Sequence, residues 1–319
     1  MTSRRRPLRL METFRSVFYT PIYVAVAGGF LETEGLDVSF STCPPNFAHP
    51  LSALNHGVAD IVQSGIMRSI IASDWGAETV PAHFAKINAR DGFFVLGRPY
   101  DEEFRWEHLR GAAVIPVGFS PMPWASFQFA LRNHGVDPET LSLMPGLSLD
   151  DAVEAFRQGR ADFIHLPEPA AEVLMADGTA TLAAALGPVN GHVAYSSFAA
   201  ANGFLDREED TVHRFVRGFS RALQWLGRSP ASDVGELVAQ FFPDVASELI
   251  VRSVARYREQ ETWPEDPRLE PPEYHGLQDI LIAASMVQER QPYEKVVRPE
   301  FFQSTLNLPP SSGHPELGV

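Results

Sequence analysis

Residues that could do chemistry are few in this chain. The stretch ALNHGVADIVQSGI, residues 53–66, reads as a helix ending at Gly57, a short strand, and a second helix opened by Ser64-Gly65. The first peptide N–H groups of a helix have no intrahelical partner, so those after Ser64-Gly65 could hold an anionic or carbonyl group. Ordinary capping by Ser64 explains the same residues without a ligand. The grammar returns in AVEAFRQGRADFI, residues 152–164, which runs into Leu166-Pro167-Glu168-Pro169. Both stretches are helix, Gly, any residue, Ala-Asp, strand, a repeat that suggests two lobes built alike. Ligands of open α/β sheets sit outside the carboxyl ends of the strands, so two such lobes facing each other would form a cleft.

Other reactive types stand alone. Cys43 is the single cysteine, which excludes an intrachain disulfide and a Cys-rich zinc or iron–sulfur site. A lone cysteine is more often inert than catalytic. The ten histidines (49, 56, 83, 108, 134, 165, 192, 213, 275 and 314) show no HExxH or other tight metal spacing. No GxSxG, P-loop or dinucleotide glycine fingerprint occurs, and Gly28-Gly29 ends a helix rather than opening one. The sequence therefore points to no metal and no cofactor, and it nominates no catalytic machine.

The elements that would position these residues alternate as short apolar strands and helical patterns, the signature of an α/β protein with largely parallel sheets. The expected strands are Leu8–Met11, Leu36–Phe40, Ile61–Val62, Ala82–Ile87, Phe93–Leu96, Ala112–Pro116, Ser142–Met144, Phe163–His165 and His192–Ser196. Between them lie expected helices at Pro21–Glu32, Pro50–Asn55, Ile66–Ser73, Pro123–His134, Leu149–Gln158 and Pro169–Asp177. Gly135, Gly159 and Gly178 follow three of these where a left-handed cap is expected. Beyond Phe198 the pattern turns helical, with Glu208–Arg228, Asp233–Phe241, Asp244–Arg258 and Glu273–Arg290. A flexible tail is expected at 308–319.

The 319 residues suggest about two domains. With 26 Lys and Arg against 40 Asp and Glu, the net charge of −14 argues against nucleic acid as a partner. Hydrophobic residues at 45% supply a sizeable core. No apolar run reaches the roughly 18 residues of a transmembrane helix. Ser3-Arg4-Arg5-Arg6 and the apolar stretch to Gly28 imitate an export signal of the twin-arginine kind. Glu12, Arg15 and Pro21 interrupt that stretch, and cleavage near Ala27 would delete the first strand. The expectation is a leaderless cytoplasmic chain, with periplasmic export through the Arg-rich segment as the alternative.

Several segments carry a family resemblance. TPIYVAVAGGFLETEGLDVSF, ALNHGVADIVQSG, AVEAFRQGRADFIHLPEPAAEVL and LRGAAVIPVGFSPMPWASFQFALRNHGVDPETL resemble periplasmic binding proteins of the type II fold. FLDREEDTVHRFVRGFSRALQWL and YEKVVRPEFFQSTL fit as well, so the likeness covers about residues 7–305. The branch is the one holding sulfonate-, nitrate- and pyrimidine-binding proteins and the NMT1/THI5-like synthases. The resemblance implies two lobes, 1–94 with 196–319 and 95–195, each a mostly parallel sheet flanked by helices, with extra C-terminal helices. Two crossing strands would join them around a ligand cleft that closes by a hinge.

With that architecture, loop position puts Thr13, Phe14, Phe18, Tyr19, Ser64, Gly65, Met67, Asn88, Arg90 and Asp91 at the cleft from the first lobe. Ser120, Pro121, Trp124 and Glu168 follow from the second, with Tyr195 near the second crossing. Phe14, Tyr19 and Trp124 could stack on a planar ring, and Arg90 could clamp a carboxylate or phosphate. Trp124 fits a core position equally well, Arg90-Asp91 an internal ion pair, and Glu168 before Pro169 a helix start. The implied function is binding of a small planar or anionic organic compound, pyrimidine-, sulfonate- or aromatic-acid-like, with an ABC permease as partner if the chain is exported. The alternative is a cytoplasmic enzyme using the same cleft, with Asp91, Glu168 and His165 as acid–base candidates, beside Glu12 and Tyr195. The cysteine-rich iron-binding motif of the THI5-type synthases has no counterpart here.

Overall fold

The computed structural model describes residues 5–99 and 102–303. The tail expected at 308–319 lies outside the described residues, as do Ser3 and Arg4 of the basic arm. Ten strands form two five-stranded sheets. In chain order they are β1 (Arg6–Glu12), β2 (Leu36–Thr42), β3 (Ile61–Gly65), β4 (Ala82–Asn88), β5 (Phe93–Gly97), β6 (Ala113–Ile115), β7 (Ser142–Leu143), β8 (Phe163–Pro167), β9 (Thr181–Ala185) and β10 (Ser196–Ala200). β4, β5, β8 and β10 are buried along their whole length, as strands covered on both faces must be.

The first sheet has the order β2-β1-β3-β10-β4 and the second β7-β6-β8-β5-β9. Each begins with three parallel strands, and each then takes an antiparallel strand in fourth place. That fourth strand is the first one after the chain has crossed from the other sheet: β5 after residues 89–92, β10 after 191–195. Each sheet is thus mostly parallel, as expected, with one opposed strand, the one that follows the crossing.

The repeated Gly-x-Ala-Asp grammar has a structural explanation. Gly57 and Gly159 take φ of +68° and +80°, ending the helices Pro50–Asn55 and Leu149–Arg157 in the left-handed region glycine favours. The two aspartates then extend the parallel ladders with their side chains. Asp60 Oδ2 accepts from the Arg9 N–H at 2.8 Å, and Asp162 Oδ2 from the Ala113 N–H at 2.8 Å. In both places the aspartate N–H bonds back to the same neighbour's carbonyl. The motif locks the third strand of each sheet onto its parallel partner.

Several sequence expectations need correction. The helix expected over Pro21–Glu32 breaks at Gly28-Gly29 into Thr20–Ala27 and Phe30–Thr33, with Gly29 at φ +70°. The strand expected at His192–Ser196 begins only at Ser196, because residues 193–195 bond to Ala89, Glu273 and Asn88 as a crossing segment. β9 was not expected at all. The helix expected to reach Arg290 stops at Ala283, two residues before Ser285 turns at φ +56°.

The C-terminal helices hold both halves together. Glu209–Arg228 packs on Thr20–Ala27, Ser247–Glu259 on Ala170–Ala176, and Pro271–Ala283 on Pro121–Asn133. One hydrophobic core runs through both sheets, from Leu8 and Phe84 to Val114 and Phe163. Among the described residues no helix is long and apolar enough to cross a membrane.

Candidate functional site

Where strands of the two sheets end, the chain encloses a cavity of about 30 Å³. The loop after β1 supplies Thr13, Phe14 and Tyr19, and the end of β3 with the following helix supplies Gly65, Met67 and Arg68. Phe93 opens β5, Ser120, Met122 and Pro123 start the helix after β6, and Tyr195 with Ser196 leads into β10. The loop after β1 is fixed from below: Gln63 Oε1 accepts the Thr13 N–H at 2.8 Å. Ser16 caps the turn Val17–Tyr19 and donates to the Glu168 carbonyl at 2.7 Å. Phe14 and Tyr19 meet edge to face, with centroids 5.3 Å apart.

The electrostatics of this cavity favour an anion. Arg68 is half-buried in its wall and has no ion-pair or hydrogen-bond partner among the described residues. Burial lowers its hold on its proton, yet an arginine stays cationic. It stands in the first turn of Met67–Asp74, whose N-terminus has no side-chain cap and no acidic residue. Ser120 likewise leaves the N-terminus of Pro121–Asn133 without a side-chain cap. Two helix N-termini, one beside each sheet, thus end at the cavity with their peptide donors and positive dipole ends. Ser64, fully buried in β3, caps neither of them.

Buried polar groups without partners among the described residues lie in this wall and behind it. Tyr195 is 5% exposed and its hydroxyl has no hydrogen-bond partner among the described residues. Burial, and then the nearby Asp91 carboxylate, push that phenol well above its ordinary range. Asp91 sits behind Phe93, whose N–H donates to Asp91 Oδ1 at 2.7 Å. Burial pushes Asp91 up to about 7, against the opposing pull of Ser126 and the Phe93 N–H. His165 lies between the rings of Phe93 and Phe127, at 5.5 and 4.9 Å. Burial drives it down to about 3, so it is neutral.

The cavity wall includes Thr13, Phe14, Tyr19, Gly65, Met67, Ser120 and Tyr195 of the residues named from sequence, and not the others. Phe18 is fully buried beneath Tyr195 and Tyr257. Asn88 is held by the Phe18 carbonyl at 2.8 Å and by the Ser196 hydroxyl. Arg90 is taken by Glu261 at 2.6 Å and by His192, away from the cavity. Pro121 is exposed, and Trp124 packs edge-on against Phe127. Glu168 is fully buried, with Arg256 at 2.6 Å and the Glu172 N–H at 2.7 Å. Its pKa is raised by burial against the pull of Arg256. Glu12 is buried with Tyr23, Arg15 and Thr42 as partners.

Sequence reasoning missed Arg68, Phe93, Met122, Pro123 and Ser196. The available signal was a basic residue in the first turn after Ser64-Gly65. Helix starts disfavour basic residues, so a ligand can be what holds it there. Among the described residues no three His, Cys, Asp or Glu side chains are grouped to hold a metal ion.

Comparison with known proteins matches residues 17–232 to the family described as NMT1/THI5 like. YtlA of Bacillus subtilis (strain 168), provisionally named a binding protein, is 30% identical over 294 residues, 92% of this chain and 88% of its own. The periplasmic aliphatic sulphonate binding protein SsuA from Escherichia coli superposes with a TM-score of 0.69 at 19% identity, over 89% of this chain and 94% of that one. The desulfurization enzyme DSZB superposes with a TM-score of 0.66 at 16% identity, over 95% and 99%. At such identities these two structures share the fold.

Proposed function

Because the chain belongs to the NMT1/THI5-like family, we propose that it is a small-molecule-binding protein that holds an anionic organic compound between its two sheets. The observation that carries this reading is Arg68, a cation without a counter-ion among the described residues, in the wall of a cavity where two uncapped helix N-termini end. The anion accepts from the guanidinium and from first-turn peptide N–H groups, and Phe14, Tyr19 and Phe93 flank its organic part.

In this reading residues 1–94 with 196–319 form one lobe and 95–195 the other. A cavity of 30 Å³ holds about one water, far below the 300 Å³ or more of ordinary ligand sites. The lobes must therefore part to admit a ligand and close again on it, flexing at 89–92 and 191–195. The periplasmic location in the name of the SsuA relative supports export over a cytoplasmic site, with an ABC permease as partner. β1 pairs with both β2 and β3, so a cut near Ala27 would remove a strand from inside the first sheet.

A second reading, an enzyme using the same cleft, draws on Asp91, a carboxyl pushed up to about 7 behind the cavity wall, and on the fold shared with DSZB. One experiment separates the two. The purified protein is titrated calorimetrically with small sulfonates, carboxylates and nitrate, and each mixture is analysed for product. Retention without turnover, weakened tenfold or more by Arg68→Ala, is expected. Turnover of a retained compound favours the enzyme, and unchanged affinity in Arg68→Ala removes the anion site.

A further inference from the structure

We propose that a second small-molecule site lies beside the crossing segments, in a cavity of about 540 Å³ that takes an organic cation, an ammonium group carrying an apolar body. It shares no lining residue with the anion cavity and does not depend on the anion reading. Its volume falls within the roughly 300–1,000 Å³ of ordinary ligand sites. Ala89 and His192 of the wall belong to the two crossing segments, and Leu223, Leu226 and Gly227 to the end of the helix Glu209–Arg228. Trp263 comes from the segment between the helices Ser247–Glu259 and Pro271–Ala283. Backbone bonds fix that segment and the start of the next helix in place. The Ala89 N–H donates to the Thr262 carbonyl at 2.8 Å, the Lys86 N–H to the Pro267 carbonyl at 2.8 Å, and the Ala194 N–H to the Glu273 carbonyl at 3.1 Å. The wall is therefore part of the folded framework, not a loose loop.

What the wall's charged groups already hold decides the class of ligand. Five carboxylates line it, Glu261, Glu265, Asp266, Glu270 and Glu273, against Lys86, Arg258 and Arg268. All three bases are occupied. Lys86, 5% exposed, donates to Glu273 at 2.5 and 2.6 Å, and Arg268 to Asp266 at 2.9 and 2.7 Å. Arg258 donates to the Gly227 carbonyl at 3.0 Å and to the Ser229 carbonyl, at the end of the helix Glu209–Arg228. Among the acids, Glu261 is taken at 2.6 Å by Arg90, which is not in the wall. Glu270 caps its own helix and stands 3.6 Å from Arg268, and Glu265 has no partner among the described residues. No base is left for an anion, whereas carboxylate oxygens are left for a cation. Carboxylates alone would make a solvated face, but these share their cavity with an apolar surface. Leu223 and Leu226 are buried, and the Trp263 indole is anchored by its N–H, which donates to the Phe18 carbonyl at 2.8 Å. Indole attracts cations over its face, so the ammonium meets Glu265 and Trp263 while the apolar body covers the leucines.

Matched probes test this: 2-phenylethylamine against 2-phenylethanol, titrated calorimetrically into the full chain at pH 7 and low ionic strength. The amine is expected to bind at least tenfold tighter than the alcohol. A Cβ on Gly227 meets no atom within 4 Å, so Gly227→Leu fits its helix, changes no charge and fills the cavity. It should weaken the amine tenfold or more. Glu265→Gln, at an exposed position, should weaken it at least threefold, and it carries the test if Gly227→Leu does not fold by circular dichroism. Arg68→Ala should leave the amine unaffected, which separates this site from the anion cavity. Failure of the amine to bind, equal binding of amine and alcohol, or wild-type amine affinity in either folded variant overturns the proposal and leaves the anion reading standing. Loss of amine binding in Arg68→Ala also overturns it, by moving the amine to the other cavity.

Discussion

Replacing Asp91 by Asn gives a quantitative check on the buried acid behind the cavity. In the fold Asp91 holds its proton up to about pH 7, whereas the unfolded chain releases it near 3.8. Between these values the folded state carries one more proton than the unfolded state. Stability from this group is complete at low pH and is lost as pH rises through the folded value. Each pH unit in that window is worth 1.36 kcal/mol, so the two units from pH 5 to pH 7 amount to about 3 kcal/mol. His83 and His165, driven down to about 3 by burial, work the other way: below about 6.5 the unfolded chain takes up protons that the fold refuses. The wild-type curve alone therefore mixes opposing slopes, and only the difference between variant and wild type isolates Asp91. Asn keeps the shape and the acceptor for the Phe93 N–H, and it cannot ionise. Urea unfolding at constant ionic strength, followed by tryptophan fluorescence from pH 5 to pH 7.5, should show the variant gaining about 3 kcal/mol on the wild type. Parallel curves would refute the assignment of a near-neutral buried carboxyl to this position.

Further perturbations have defined outcomes. A Cβ at Gly92 would lie 2.1 Å from the Phe18 ring, which Tyr195, Tyr257 and Phe93 hold in place, so Gly92→Ala should cost about 1–3 kcal/mol by chemical denaturation. Arg256→Ala strips Glu168 and Glu172 of a partner in a buried cluster and should cost roughly 3–5 kcal/mol by the same measurement, a loss Glu168→Gln should partly relieve. Arg90→Ala breaks contacts with the exposed Glu261 and His192, away from the cavity wall, so calorimetric anion affinity should stay within about twofold.

The fold was legible where the signal was local. Gly57 and Gly159 end helices, and Asp60 and Asp162 stitch strands, all within a few residues of one another in sequence. β9 escaped because Thr181-Leu182-Ala183-Ala184-Ala185 is alanine-rich, sits at a sheet edge, and draws its strand character from pairing with β5. Loop position found Phe14, Tyr19 and Tyr195, since strand ends and crossings face the cavity whatever their composition. The charged residues misled for a physical reason. Arg90 and Glu168 look available in sequence, but their partners Glu261 and Arg256 arrive from helices far along the chain. Arg68 is the reverse case: only three dimensions reveal that no carboxylate among the described residues comes to it.

The place of β10 between β3 and β4 also sets an order of events during synthesis. All five strands of the second sheet lie between residues 93 and 185, so that sheet can pair as soon as its own segment has emerged. The first sheet cannot: until residues 196–200 arrive, β4 has no strand to join it to β3. Chains grow from the N-terminus, and long-range pairings form slowly. The half of the protein that starts first is therefore the half that finishes last, and its unpaired β3 and β4 edges are what a nascent chain must keep from other strands in the meantime.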